Sequence, residues 1–226
     1  MEKSQKKIPL APFDKGGSYP TPFDKGGRRN PPGPLLQRGK IYEIRIHSRG
    51  GQGAKTAAQI LAEAAIAGGK FAQAFSEYGP ERSGAPMKTF FRISDQSIRL
   101  HCDVQTPDLV LVVDPSLLND IDVTEGLTDD GIVIVNCGGT IEEIKKHLKK
   151  KNCRVYNLDG SKIAMELFGK DIPNMPMIGA VVKITGLISR EQLIKSVWEK
   201  FSRKLGKELT EKNIEALKRG YEMEIN

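Results

Sequence analysis

The residues best suited to chemistry stand in Ser48-Arg-Gly-Gly-Gln-Gly-Ala-Lys55, where Gly50, Gly51 and Gly53 separate a strand-like run from an alanine-rich one. Backbone N–H groups in such a turn, and at the N-terminus of a following helix, can surround an anion. Arg49 and Lys55 place positive charge at its two ends. An ammonium at a helix N-terminus reinforces the positive end of the dipole, so Lys55 costs helix stability unless an anion is bound there. The set Gly50, Gly51, Gln52, Gly53, Ala54 and Lys55 is therefore a candidate phosphate cradle. It misses both standard nucleotide fingerprints. A Walker A loop needs Gly immediately before the Lys, where Ala54 stands, and a dinucleotide loop needs a small residue where Thr56 stands. Glu77 falls near the spacing of a ribose-binding acid, which keeps a dinucleotide site open as an alternative. A tight strand-to-helix turn with no ligand is the other.

A second cluster follows at Phe75-Ser-Glu-Tyr-Gly-Pro-Glu-Arg-Ser-Gly-Ala-Pro86. It is long, chemically mixed and placed after a strand, where open α/β sheets bind ligands. Its bland reading is a surface loop tied by Glu77, Glu81 and Arg82. Metal chemistry has less support. Cys102, Cys137 and Cys153 are odd in number, far apart and outside any Cys-x-x-Cys pair, and His47, His101 and His147 do not complete a four-ligand set. Reduced, mostly packing thiols are expected, in a reducing compartment.

These residues need a sheet to position them. Ile41–Ile46 alternates like a strand, Thr56–Ile66 reads as a helix closed by Gly68-Gly69, and Lys70–Phe75 reads as a second strand. Met87–Ile93 and Ser97–His101 read as a hairpin around Ser94-Asp95-Gln96. Pro107–Asp114 and Gly131–Asn136 are continuous apolar runs rich in β-branched residues, the pattern of strands buried on both faces of a parallel sheet. Helices are expected over Ile141–Lys150 and Ser161–Phe168, flanking a strand at Arg154–Asn157. Beyond Met175 the pattern is helical, with Ile188, Leu193, Ile194, Val197, Trp198 and Phe201 expected in the core. The alternation predicts an α/β fold: a doubly wound, mostly parallel sheet with flanking helices and a helical C-terminal segment.

Charge does not point to nucleic acid. Of the formal +7, residues 1–39 supply +5, from eight basic residues against three acids. The other 187 residues carry 27 basic and 25 acidic side chains, too even a balance for a phosphate backbone. Residues 1–39 also repeat Pro-Phe-Asp-Lys-Gly-Gly at 12–17 and 22–27, before Asn30-Pro-Pro-Gly-Pro34, and read as a disordered extension ahead of an α/β domain over 40–226. Apolar runs such as Leu109–Val113 are too short to span a bilayer, and the N-terminus lacks the h-region of a secretory signal. A cytoplasmic protein without membrane contact is expected.

The order and spacing of Arg49-Gly-Gly-Gln-Gly-Ala-Lys55, Glu77-Tyr-Gly-Pro-Glu-Arg-Ser-Gly-Ala-Pro86 and Pro107-Asp-Leu-Val-Leu-Val-Val-Asp-Pro115 resemble the gamma subunits of 2-oxoacid:ferredoxin oxidoreductases. The resemblance covers nearly all of residues 40–225. Arg82-Ser-Gly-Ala-Pro86 resembles the pyruvate and branched-chain members, with 2-oxoisovalerate and 2-oxoglutarate enzymes as alternatives. It implies a subunit, inactive alone, of a heteromer with alpha, beta and delta partners. That assembly converts pyruvate and coenzyme A to acetyl-CoA and carbon dioxide and passes two electrons to ferredoxin. Thiamine diphosphate and iron–sulfur clusters are implied on partner subunits only. This agrees with the lack of a complete Gly-Asp-Gly motif around Asp159-Gly160 and of clustered cysteines. By the same resemblance, Gly50–Lys55 meets the phosphates of coenzyme A, and Tyr78, Arg82 and Ser83 face the active centre. No residue of this chain is implied as catalytic or as a metal ligand. A free-standing dinucleotide-dependent oxidoreductase and a basic nucleic-acid module using residues 1–39 are the rival readings.

Overall fold

The computed structural model describes residues 40–77 and 84–223. The expected disordered extension therefore lies outside the described residues, as do Tyr78, Arg82 and Ser83. Six strands form one sheet in the order β2-β3-β1-β4-β5-β6: β1 Tyr42–Arg49, β2 Phe71–Ser76, β3 Pro86–Ser94, β4 Leu109–Val112, β5 Ile132–Asn136 and β6 Arg154–Leu158. β1, β4, β5 and β6 are mutually parallel, whereas β3 runs antiparallel between β1 and β2. The α/β class and the mostly parallel sheet are as the sequence predicts.

Pleating sends alternate side chains to opposite faces. Leu109, Leu111, Ile132 and Ile134 enter one core together with Ile44 and Ile46, and Val110, Val112, Val133 and Val135 enter a second. Each wholly buried aliphatic of this kind contributes about 1.5–3 kcal/mol by leaving water. The first core is covered by α1 (Ala54–Ala67), α4 (Gly160–Phe168), α5 (Asn174–Thr185) and α6 (Arg190–Tyr221); the second is covered by α3 (Ile141–His147) with Leu118 from the short α2 (Leu117–Asp120). Among the described residues, no helix is long and apolar enough to cross a membrane.

Close backbone approach sets the helical layer. A Cβ on Gly179 of α5 would stand 2.2 Å from the Leu217 carbonyl oxygen, and one on Gly220 of α6 would stand 2.0 Å from that of Pro176. α6 breaks at Gly206, whose φ of 77° and ψ of 171° turn the chain out of helical geometry. Trp198 is not core as expected. It is 40% exposed and lines a surface groove with Ile194 and Ile214, while Leu193 and Val197, one residue away, take the buried face.

Two further expectations change. Ser97–His101 forms no strand; β3 instead pairs with β2, so the hairpin lies before β3 rather than after it. The segment runs as a cover over the sheet, with the Gln73 amide donating to the Ile98 carbonyl and Arg92 to the Asp103 carbonyl. α3 stops at His147, short of Lys150. Buried Leu148 leaves the helix in an extended conformation, and the Lys151 ammonium takes the carbonyls of Lys145 and Lys146 at the helix end.

Candidate functional site

β1 and β4 are neighbours whose following segments leave in different directions, β1 toward α1 and the antiparallel strands, β4 toward α2 and β5. The crevice beyond their carboxyl ends is where open α/β sheets bind ligands. Gly50–Gly53 forms its wall. Gly51 and Gly53 have φ of 102° and 78°, a region closed to most other residues. Gly53 is constrained twice, because a Cβ there would lie 2.3 Å from Asn174 Nδ2 of α5, the same group that donates to the Gly53 carbonyl at 3.2 Å.

The turn satisfies some of its own donors and leaves others open. The Gly50 N–H donates to the Ala85 carbonyl and the Gln52 N–H to that of Arg49. The N–H groups of Gly51, Gly53 and Ala54 find no acceptor among the described residues. α1 begins without a side-chain cap and without an acid in its first turn. These three donors lie at or just before the N-terminus of a fourteen-residue helix, where the dipole favours negative charge. Lys55 stands exposed on that first turn. It also borders a cavity of about 190 Å³ between α1 and the ends of β2 and β3, with Gln59, Phe75, Ser76 and Thr89. The Ser76 and Thr89 hydroxyls are hydrogen-bonded to each other at 3.0 Å.

Gln52 has a different part from the one its neighbours suggest. Its side-chain carbonyl accepts the Arg49 N–H at 2.8 Å, and its amide nitrogen donates to Asp114 Oδ2 at 2.7 Å. The side chain is thus used inside the turn. Arg49 is likewise engaged, donating to Ser116 Oγ and to Asp120 at 2.9 Å, with its Nε 3.6 Å from Asp114. Asp114 Oδ1 accepts the Ser116 N–H and hydroxyl. Partial burial raises the Asp114 pKa, but hydrogen bonds from Ser116 and Gln52 and the Arg49 charge outweigh it and hold the carboxyl below its usual range.

The sequence-predicted cradle is therefore one contiguous structure, and it is tied to the base of the second motif. The Gly50 carbonyl accepts the Gly84 N–H, and Arg49 Nη1 donates to the Gly84 carbonyl. Sequence reasoning did not place Asp114, Ser116, Asp120 or Asn174 here. An Asp-Pro-Ser after a buried strand is the one local cue, since it reads as a side-chain-capped turn. Among the described residues no three His, Cys, Asp or Glu side chains gather as a metal site would require.

Known proteins agree with this fold. The model of the pyruvate ferredoxin/flavodoxin oxidoreductase family matches residues 43–223. The common gamma subunit of the pyruvate/ketoisovalerate oxidoreductases of Pyrococcus furiosus is 48% identical over 182 residues, which are 80% of this chain and 96% of that one. The crystal structure of the pyruvate oxidoreductase subunit PORC of Thermotoga maritima superposes with a TM-score of 0.72 at 42% identity, over 81% of this chain and 96% of that one. A keto/oxoacid ferredoxin oxidoreductase gamma subunit from Geobacter sulfurreducens gives 0.66 at 28% identity, covering 81% and 95%. The chain belongs to the pyruvate ferredoxin/flavodoxin oxidoreductase family. Its place there is that of a gamma subunit of a multi-subunit pyruvate/ketoisovalerate-type oxidoreductase.

Proposed function

We propose that this gamma subunit binds the phosphates of coenzyme A at the Gly50–Lys55 turn, in an enzyme that oxidatively decarboxylates pyruvate to acetyl-CoA and reduces ferredoxin. One observation carries the reading: Gly51, Gly53 and Ala54 present open N–H groups at the uncapped N-terminus of α1. Lys55 adds a charge on the same turn, and the adjoining cavity offers room for the less polar part of a nucleotide-bearing thiol. The N–H groups of Gly50 and Gln52 are used internally, so these two residues shape the cradle rather than line it. Tyr78, Arg82 and Ser83 follow β2 on the chain, and their proposed role is to face the active centre supplied by partners.

The chain contributes binding and positioning, not redox chemistry. Thiamine diphosphate and iron–sulfur clusters belong to alpha, beta and delta partners in a cytoplasmic assembly, and ferredoxin meets the complex there. The resemblance of Arg82-Ser-Gly-Ala-Pro86 to the pyruvate and branched-chain members favours pyruvate or 2-oxoisovalerate over 2-oxoglutarate.

The test is Lys55→Ala in the assembled enzyme. Loss of one charge-assisted contact is expected to weaken coenzyme A by about 1.5–3 kcal/mol, a rise of at least several-fold in its KM. Pyruvate KM and iron content are expected to stay at their wild-type values. An unchanged coenzyme A dependence in a chain more stable to heat would show the turn to be only structural.

A further inference from the structure

Asp114 closes the strand motif Pro107–Pro115, yet nothing in the anion-binding reading gives it a task. Its surroundings do. The carboxylate stands at the end of β4, beside the glycine turn, and receives Gln52 Nε2 at 2.7 Å. The opposite end of that amide receives the Arg49 N–H at 2.8 Å. Gln52 thus bridges the last residue of β1 to the end of β4 and spans the segment in which Gly51 and Gly53 hold positive φ. Asp114 Oδ1 is itself fixed by the Ser116 N–H and hydroxyl, at 3.0 and 2.6 Å.

The structure assigns Asp114 as a positioning residue: acting through Gln52, it holds the glycine turn in the shape that aims its free N–H groups at a phosphate. The assignment rests on the coenzyme A reading of the turn. Electrostatics alone demands the opposite effect. A carboxylate beside an anion site repels the ligand, so removing its charge should tighten binding unless its structural task outweighs the repulsion. Arg49, 3.6 Å from Asp114 and paired with Asp120, offsets part of that repulsion. The sign of the effect on coenzyme A therefore separates positioning from charge.

Asp114→Asn, Gln52→Ala, their double variant and Lys55→Ala are made in the complete enzyme, with coenzyme A affinity read by calorimetry beside steady-state kinetics. Asp114→Asn and Gln52→Ala are each expected to weaken coenzyme A about ten-fold, in Kd and in KM, with kcat and pyruvate KM within two-fold of wild type. The double variant is expected to match the single ones, because Gln52→Ala removes the bridge and Asp114→Asn, with one acceptor oxygen in place of two, cannot accept from both Gln52 and Ser116. Tighter or unchanged coenzyme A in Asp114→Asn overturns the assignment. If that variant fails to assemble, Gln52→Ala decides alone, and wild-type affinity in it overturns the assignment as well. Wild-type affinity in both Gln52→Ala and Lys55→Ala would locate the error in the coenzyme A reading of the turn instead, whereas weakened binding in Lys55→Ala alone overturns the role of Asp114.

Discussion

The two halves of the sheet are buried by different physics. Around β4 and β5 both faces are dry: Leu109, Leu111, Ile132 and Ile134 on one side and Val110, Val112, Val133 and Val135 on the other have at most 1% of their surface exposed. Around β1 and β3 one face is equally dry, but the other carries Glu43, Arg45, His47 and Arg92. Arg92 is 1% exposed and pairs with Glu43 at 2.6 Å, stacks over Phe75 and reaches the Asp103 carbonyl. Arg45 donates to His47 and to the carbonyls of Val123 and Glu125. The segments over this face are irregular chain, whose carbonyls need donors that apolar strands could not give. A helix-covered sheet asks for shape, and a loop-covered one asks for partners. The glycine turn rises where the two halves meet, between β1 and β4.

The largest expected effect lies in the dry half. Leu111→Ala removes a fully buried side chain from a core whose neighbours cannot collapse onto it, and about 3–4 kcal/mol of stability should go with it. Urea denaturation of the purified chain measures this. A cost below about 1 kcal/mol would mean that the core relaxes freely, and the contrast between the halves would fail.

In the polar half the cost depends on the partner left behind. Arg92→Met strands Glu43, whose side chain is 16% exposed, and a loss of about 3 kcal/mol is expected. Replacing both as Arg92→Met and Glu43→Met removes the stranded charge and should cost less than the single change, about 1 kcal/mol, with the Asp103 carbonyl still lacking its donor. The double-mutant cycle reads this coupling directly. Additive losses would show that Arg92 works through its packing on Phe75 rather than through its charge.

What the sequence displayed follows the same division. The dry strands were legible because burial on both faces leaves continuous β-branched runs, as at Pro107–Asp114 and Gly131–Asn136. The glycine turn was legible because positive φ demands its residue type at Gly51 and Gly53. The polar half was not. Ile98 and Leu100 alternate like strand residues, yet they lie in a covering segment whose hydrogen bonds go to side chains rather than to a strand. The bracing of the turn was equally hidden. Gln52 meets Asp114 across 62 residues and Gly53 meets Asn174 across 121, and no local pattern encodes either contact. Trp198 illustrates the opposite error, because a helical stripe one residue too wide put a groove residue into the core.

The smallest effect is a pH dependence that belongs to the polar half alone. His47 is 2% exposed; burial, then the Arg45 and Lys88 charges, push its pKa down to about 3. Its Nε2 accepts from Arg45 Nε at 3.1 Å, so the neutral ring carries its proton on Nδ1, which has no partner among the described residues. In the unfolded chain the same ring titrates near 6.5. Between those values the unfolded state binds a proton that the folded state refuses, so stability is lost as pH falls from 6.5 toward 3 and is complete above 6.5. On going from pH 7.5 to 5.5 the loss should reach about 1 kcal/mol. His101 and His147 are exposed, which makes His47 the natural source of such a slope. His47→Gln keeps an acceptor for Arg45 and removes the titration, so its denaturation midpoint should change less with pH over this range than that of the wild type. Parallel pH profiles for the two proteins would mean that water reaches His47 and that this face is not sealed by its covering loops.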